Sequence, residues 1–377
     1  MQKLFNTICN DSVYFDQETI IIQLNGHRNV VSTCNLNGGY KEDIQYIYNN
    51  SCGKSIEAGD IVTMKGNNMM EHYHALTLEL NLPADKTTGM CTAALMENMA
   101  TVTQSKESIS VTAMVTAGID INGGRAGDPA QFNEFTNEPL DSTQGTINIF
   151  LLIDAHLDAG TLTRSLITAT EAKSAALEEL MANSMYSEGL ATGSGTDNII
   201  AVSNLDSKIQ LYNAGKHCIL GELIGATVKK AVQEALNKQS GMNPKRQAST
   251  IWQNKRYGIT YDKIFQHYQK LSNNPNSSLE ALLPIIDEIA SNNEVLAQIA
   301  AITHLIDQNR WGLLTEVNLK KTALRYLNLL RKDYDLTEIP ETKEENKETP
   351  FYKHLIDLIN NTLGGILHNH IIKRKRN

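Results

Sequence analysis

The run TINIFLLID, residues 146–154, constrains the fold more than any other stretch. Successive side chains of a strand point to opposite faces, so a half-exposed strand alternates apolar with polar residues. This run is apolar almost throughout, with Asn148 its one interior polar residue. It therefore predicts a strand covered on both faces, inside a layered fold.

The neighbouring segments supply the layers. TIIIQL (19–24), NVVSTC (29–34) and NIIAV (198–202) read as further β-branched strands, and ISVTAMVTA (109–117) places Ile109, Val111, Ala113 and Val115 on one strand face. Leu162, Leu166, Ala169, Leu177 and Leu180 recur at helical spacing, as do Leu220, Leu223, Ile224, Val228, Ala231, Val232 and Leu236. The class expected is α+β (mixed α/β): a layered mixed β-sheet with packed helices, then an all-α C-terminal extension. The boundary is expected in NKQSGMNPKRQ, dividing residues 1–242 from a helical region of unassigned role at 243–377. Beyond it, Ser277-x-x-Glu280 and Ser291-x-x-Glu294 read as capping boxes. Residues 337–350 read as a charged, flexible stretch, and a last helix is expected over residues 351–367.

Length and composition bound the function. The chain has 377 residues, a formal net charge of −8 and five cysteines. The charge excludes nucleic acid and anionic membrane as expected partners, and the basic run Lys373 to Arg376 reads as a solvated end. The cysteines are odd in number, and none forms a C-x-x-C pair, so neither a disulfide framework nor a cysteine zinc site is expected. The N-terminus lacks an unbroken apolar run, and no stretch reaches the roughly 18 apolar residues that span a bilayer. A soluble, cytoplasmic protein is expected. His72 and His74 would share a face if they lay on a strand, but with no third ligand beside them no metal is assigned.

Two local features bear on chemistry. The glycine-rich ATGSGTDNI (191–199) is a poor phosphate cradle, because Asn198 stands where a dinucleotide fingerprint needs its third glycine and the loop opens a strand instead of a helix. Lys173 lies on the apolar stripe of its predicted helix, seven residues after Leu166 and four before Leu177. A lysine there either snorkels from the edge of the stripe or is paired at a site.

Several fragments occur together in a fixed order: RNVVSTCNLNGGY (28–40), GMCTAALMENM (89–99), TAGIDINGGRAGDP (116–129), TINI (146–149), ITATEAKSAALEEL (167–180), ATGSGTDNI (191–199) and GKHCILGELIG (215–225). Over roughly residues 15–240 the chain resembles the adenosylcobinamide amidohydrolases, enzymes of corrinoid salvage. The resemblance implies hydrolysis of the amide joining aminopropanol to the corrin ring, with the adenosylated corrinoid as substrate and no cofactor.

Amide hydrolysis needs a nucleophile or activated water, an oxyanion donor and an acid for the leaving amine. Within the matched segments Thr192, Ser194 and Thr196 are candidate nucleophiles, and Lys173, Asp197, Glu171 and His217 are candidate acid–base groups. Asn37, Asn122, Arg125, Asp128, Asn148 and Lys216 are candidate substrate contacts, and Gly193 and Gly195 would bring backbone donors close. Cys218 stands where a small hydroxyl residue is expected. Two other readings compete: a corrinoid-binding protein without catalysis, and an amidohydrolase whose C-terminal helices dock a partner or form a homo-oligomer.

Overall fold

A computed structural model of the chain describes residues 1–52, 65–66, 68–133, 135–136, 138–139, 145–272, 277–340 and 350–376. The chain divides into two compact units, Met1–Asn243 and Pro244–Asn377. The first opens with β1 (Gln2–Asn6), β2 (Ser12–Asp16), β3 (Thr19–Gln23), β4 (Arg28–Ser32), β5 (Gly39–Lys41) and β6 (Tyr46–Ser51). Next come α1 (Met69–Glu79), β7 (Thr87–Thr92), β8 (Ala100–Lys106), β9 (Ile109–Gly118) and the short pair β10 (Phe132–Asn133) and β11 (Glu138–Pro139). The unit continues with β12 (Thr146–Ile153), β13 (His156–Leu157), α2 (Ala159–Glu179), β14 (Asn198–Asn204), β15 (Gln210–Leu211) and α3 (Ile219–Ser240).

The apolar strand β12 lies inside a six-stranded sheet of order β5-β4-β14-β12-β9-β8. It pairs parallel with β14 and antiparallel with β9, and all eight of its residues are buried. Its odd-numbered residues Ile147, Ile149, Leu151 and Ile153 pack in one core with the apolar faces of α2 and α3, including Leu162, Leu177, Leu223 and Val232. Phe150 and Leu152, on the other face, pack with Val13, Ile20, Ile22, Ile47 and Met90. Those residues come from a second sheet of order β1-β2-β3-β6-β7. The far side of this sheet, at Ile21 and Tyr48, packs with Tyr73 and Leu76 of α1 and with Leu80, the residue that caps its C-terminal end. The layers are thus helices, sheet, sheet, helix.

The strand patterns in the sequence anticipate the four inner strands of this first sheet (β4, β14, β12 and β9) and its two helices, but not β5 or β8. TIIIQL forms β3 of a second sheet that they do not foresee, whose other strands β1, β2, β6 and β7 carry much polar sequence. β9 is buried on both faces, although its pattern reads as a single apolar face, because Met114 packs with the second sheet, Thr116 accepts from Asn49 of β6, and Thr112 is buried beside Thr103. Two corrections concern α1 and the cysteines. His72 and His74 lie on that helix, about 200° apart, so they share no face. Cys52 and Cys91, read as unpaired, are disulfide-bonded across 39 residues. Parallel pairing of β6 with β7 sets Ser51 beside Thr92, which carries the two cysteines together.

The second unit is helical, with α4 (Pro244–Gln247), α5 (Thr250–Asn254), α6 (Tyr261–Leu271), α7 (Leu279–Ala290), α8 (Asn293–Arg310), α9 (Glu316–Asp333) and α10 (Phe351–Arg376) around its own core. Buried Arg256 forks onto Asp307 at 2.8 and 2.7 Å, and Tyr257 donates to the same carboxylate at 2.6 Å. The helix starts fall one residue later than the capping boxes predict. Ser278 caps α7 through Ala281 N–H at 3.3 Å, and Asn292 caps α8 through Glu294 and Val295 N–H at 2.9 and 3.2 Å. Ser291 instead ends α7, its hydroxyl donating to Asp287 O. The basic end is the last turn of α10, where Lys373 and Arg374 pair with Asp335 and Glu288 at 3.1 and 2.8 Å. Of the charged stretch 337–350, residues 341–349 lie outside the described residues.

One glycine fixes how the second sheet packs. Gly89 on β7 faces Tyr48 on β6, and a Cβ there would fall within the tyrosine ring, which is wholly buried. Gly89→Ala is expected to destabilise the first unit by about 2–3 kcal/mol through overpacking. Hydrogen exchange should read this as lost protection over residues 46–51 and 87–92, with α8 and α9 unchanged.

Candidate active site

Three loops meet at one edge of the six-stranded sheet, where β9 ends and where β12 and β14 begin. Register places Thr146 opposite Gly118 and Asn148 opposite Asn198. The loops after β9 and before β14 are joined by backbone: Gly124 N–H donates to Gly193 O at 2.9 Å, and Thr192 and Gly193 N–H return to Gly124 O at 2.8 and 3.2 Å. The two glycine-rich segments of the sequence are therefore the two sides of one wall.

Asp197, at the end of that wall, is the centre of the site. Its Oδ2 accepts from Lys173 Nζ and from Ser194 N–H at 3.0 Å. Its Oδ1 accepts from Ser194 Oγ at 2.6 Å and from Ile147 N–H at 2.9 Å. Both charged side chains are only 10% exposed. Lys173 thus has the partner that its place on an apolar stripe demands. A Cβ at Gly193 would meet Lys173 Nζ and Asp197 Oδ2, so a larger residue there would displace the ion pair. The Gly193 N–H is already bonded, whereas among the described residues Gly195 N–H makes no hydrogen bond and the residue is exposed.

The other hydroxyls of the loop are engaged. Thr196 Oγ1 donates to Gly145 O at 3.0 Å and lies against Thr146 Oγ1. Thr192 Oγ1 accepts from Ala126 N–H at 3.0 Å. Arg125 is exposed and donates to Leu190 O at 3.1 Å. Asp128 accepts from Arg125 N–H at 2.7 Å and from Ser184 Oγ at 2.5 Å. Burial raises the Asp128 carboxyl, but hydrogen bonds from Ser184, Ser187 and Arg125, with the Arg125 charge, outweigh it and hold it below the ordinary carboxylate value.

The remaining candidates stand elsewhere. Glu171 is two residues from Lys173 and so about 200° around α2. It pairs with Lys216 at 2.9 Å. These two and His217 line a separate cavity of about 270 Å³ with Arg164, Thr168 and Cys218. No hydrogen bond among the described residues links His217 to the Asp197 group. Cys218 performs the task of the expected hydroxyl, capping α3 by accepting from Gly221 N–H at 3.4 Å. Asn148 is wholly buried between the sheets, donating to Asn49 Oδ1 at 2.8 Å and Cys91 O at 3.0 Å. Asn122 is buried and donates to Gly145 O at 2.6 Å. Asn37 donates to Ala84 O and Thr87 O, both at 2.7 Å.

Sequence reasoning missed Ser174, whose Oγ donates to Thr192 O at 3.1 Å, and also Thr146, Ser184 and Arg164. Ser174 and Arg164 carried a signal, lying on the same predicted helix as Lys173. Ser184 carried none.

The comparisons with known proteins bear on the same segments. A family model described as adenosylcobinamide amidohydrolase matches residues 4–244. An uncharacterized protein of Methanocaldococcus jannaschii is 32% identical over 248 residues, which is 63% of this chain and 92% of the relative.

Two outcomes follow from the electrostatics. Lys173→Met leaves a buried carboxylate unpaired and is expected to cost about 3 kcal/mol in urea unfolding. Adding Asp197→Asn should recover part of that loss, so a double-mutant cycle reads a favourable coupling. Because folding lowers the Asp128 pKa, its contribution to stability is present above about pH 4 and is lost as pH falls through the folded value. The unfolding midpoint of wild type should therefore fall more steeply on acidification than that of Asp128→Asn.

Proposed function

The chain belongs to the adenosylcobinamide amidohydrolase family, and from that premise we propose that it hydrolyses the aminopropanol amide of adenosylcobinamide at the Ser194–Asp197–Lys173 group. The products are adenosylcobyric acid and 1-aminopropan-2-ol, which would return an incomplete corrinoid to cobalamin synthesis. The observation that carries the reading is the 2.6 Å bond from Ser194 Oγ to a carboxylate held in place by Lys173 and Ile147 N–H.

A serine hydroxyl is a weak nucleophile unless a neighbouring base takes its proton. Ser194 attacks the amide carbonyl as its proton passes to Asp197 Oδ1. The proton then goes to the departing amine nitrogen as the C–N bond breaks, leaving an ester on Ser194. Water enters by the same route: Asp197 accepts its proton as it attacks the ester carbonyl and returns that proton to Ser194 Oγ as the ester C–O bond breaks, which releases the acid. The Lys173 ammonium keeps the carboxylate oriented. Among the described residues the Gly195 N–H makes no hydrogen bond and is available for the oxyanion, and with no Cβ the backbone can approach closely. Arg125, exposed on the facing loop, and the Glu171, Lys216 and His217 cavity offer polar contacts for the corrin's peripheral amides.

Purified protein incubated with adenosylcobinamide is expected to yield adenosylcobyric acid on chromatography, and Ser194→Ala to lower kcat by at least about a thousandfold. Tight corrinoid binding without product from the wild type would establish the non-catalytic reading instead. Full activity in Ser194→Ala, with product from wild type, would replace the serine by an activated water.

A further inference from the structure

Away from the Asp197 group, three side chains capable of redox or ligand chemistry converge beside the second sheet. Cys52, which follows β6, is disulfide-bonded to Cys91 in β7. His72 of α1 faces both sulfurs, with Nε2 3.1 Å from Cys91 Sγ and 3.4 Å from Cys52 Sγ. The three donor atoms lie within 4.8 Å of one another. Such a set is suited either to a thiophilic cation or to thiol–disulfide exchange.

The second ring nitrogen of His72 separates the two. Its Nδ1 lies 3.1 Å from the backbone nitrogen of Lys65, a group that can only donate. Nδ1 therefore holds the lone pair of that bond, and a neutral ring carries its proton on Nε2. Burial, reinforced by the Lys65 charge and opposed by that of Glu79, lowers the basicity of the imidazole and favours the neutral ring. In this tautomer His72 presents an N–H to the sulfurs and no lone pair to a metal. Metal-binding histidines have the opposite arrangement, donating through the nitrogen away from the ion.

The surroundings also provide for the reduced state. Asn50 Nδ2 donates to Thr19 Oγ1 at 2.7 Å, and its Oδ1 lies 3.4 Å from Cys52 Sγ. A thiol at Cys52 thus has an acceptor, and a thiolate at Cys91 has a donor in His72. Both sulfurs belong to half-buried residues, whereas Cys9 and Cys34 are buried and their thiols are pushed up to about 12 and about 11. The pair is therefore better placed than Cys9 or Cys34 for exchange with a reagent from solution.

We propose that Cys52, Cys91 and His72 form a thiol–disulfide exchange site whose co-substrate is a dithiol reductant. One thiolate of the dithiol attacks Cys52 Sγ and forms a mixed disulfide. Cys91 leaves as the thiolate, stabilised by the His72 Nε2–H and then protonated from solvent. The second thiol of the reductant, deprotonated, displaces Cys52 as a thiolate, which takes up a proton. Two electrons and two protons pass to the protein, and the reductant is left as its own disulfide. Cys91 is the leaving group because His72 lies closer to it, and a better stabilised thiolate leaves faster.

Alkylation of the full chain in denaturant after an acid quench tests this, with dithiothreitol as the reductant. Before reduction Cys9, Cys34 and Cys218 should be modified and the Cys52 and Cys91 peptides should remain linked, while after reduction all five cysteines should react. Mixed reduced and oxidised dithiothreitol should give one two-electron transition confined to this pair. In the reduced, folded protein His72→Asn should slow alkylation of Cys91 about fivefold, with Cys218 unchanged, because thiolate rather than thiol is the reacting form. Five free thiols after mild oxidation would overturn the proposal. So would stoichiometric zinc retained by wild type and lost in Cys52→Ser, or an unchanged Cys91 rate in His72→Asn. If the histidine variant does not fold, the wild-type mapping and zinc content still decide.

Discussion

A carboxylate and an ammonium removed from water destabilise a fold unless their charges are paired and their hydrogen bonds are made. Asp197 meets that condition by joining separate pieces of chain. Lys173 comes from a helix, Ile147 N–H from the central strand, and Ser194 from the loop in front of the next strand. Each partner depends on the parallel register of β12 with β14, which sets the beginnings of both strands at one edge. The same bonds orient the Ser194 hydroxyl, so the interaction that closes the loop also fixes the side chain proposed as the nucleophile.

The layered architecture explains why this edge is stable enough to hold a buried ion pair. β12 is covered by helices on one face and by a second sheet on the other, so neither the strand nor its hydrogen bonds are open to water. The price of that second layer is a set of polar groups sealed between the sheets. Asn148, Asn49 and Thr116 answer it by bonding to one another and to Cys91 O. Asn148 therefore serves the seam between the sheets, although its segment belongs to the family pattern.

How much of this is legible beforehand depends on how local the cause is. The periodicity of α2 and α3 and the apolar run of β12 record which face each element buries, and they predict those elements closely. Lys173 on an apolar stripe announces a partner without naming it. Lys173, Thr192, Ser194, Thr196 and Asp197 cluster at one wall, whereas Glu171 falls on the other side of α2, because a separation of two residues on a helix reverses direction, and Lys216 and His217 meet it there. The helix N-caps shift by one residue where Ser278 and Asn292 take the place expected of Ser277 and Ser291.

The sequence by itself determined the class of fold, the four inner strands of the first sheet with its two helices, and the family, because each rests on patterns that one stretch of chain carries within itself. Tertiary structure alone decided that a second sheet covers β12, that Ser194 and Lys173 share one carboxylate, and that Cys52 meets Cys91 beside His72. Those outcomes rest on which strands pair and in what register. Since register is fixed by contacts between segments far apart in the chain, no local pattern of residues records it.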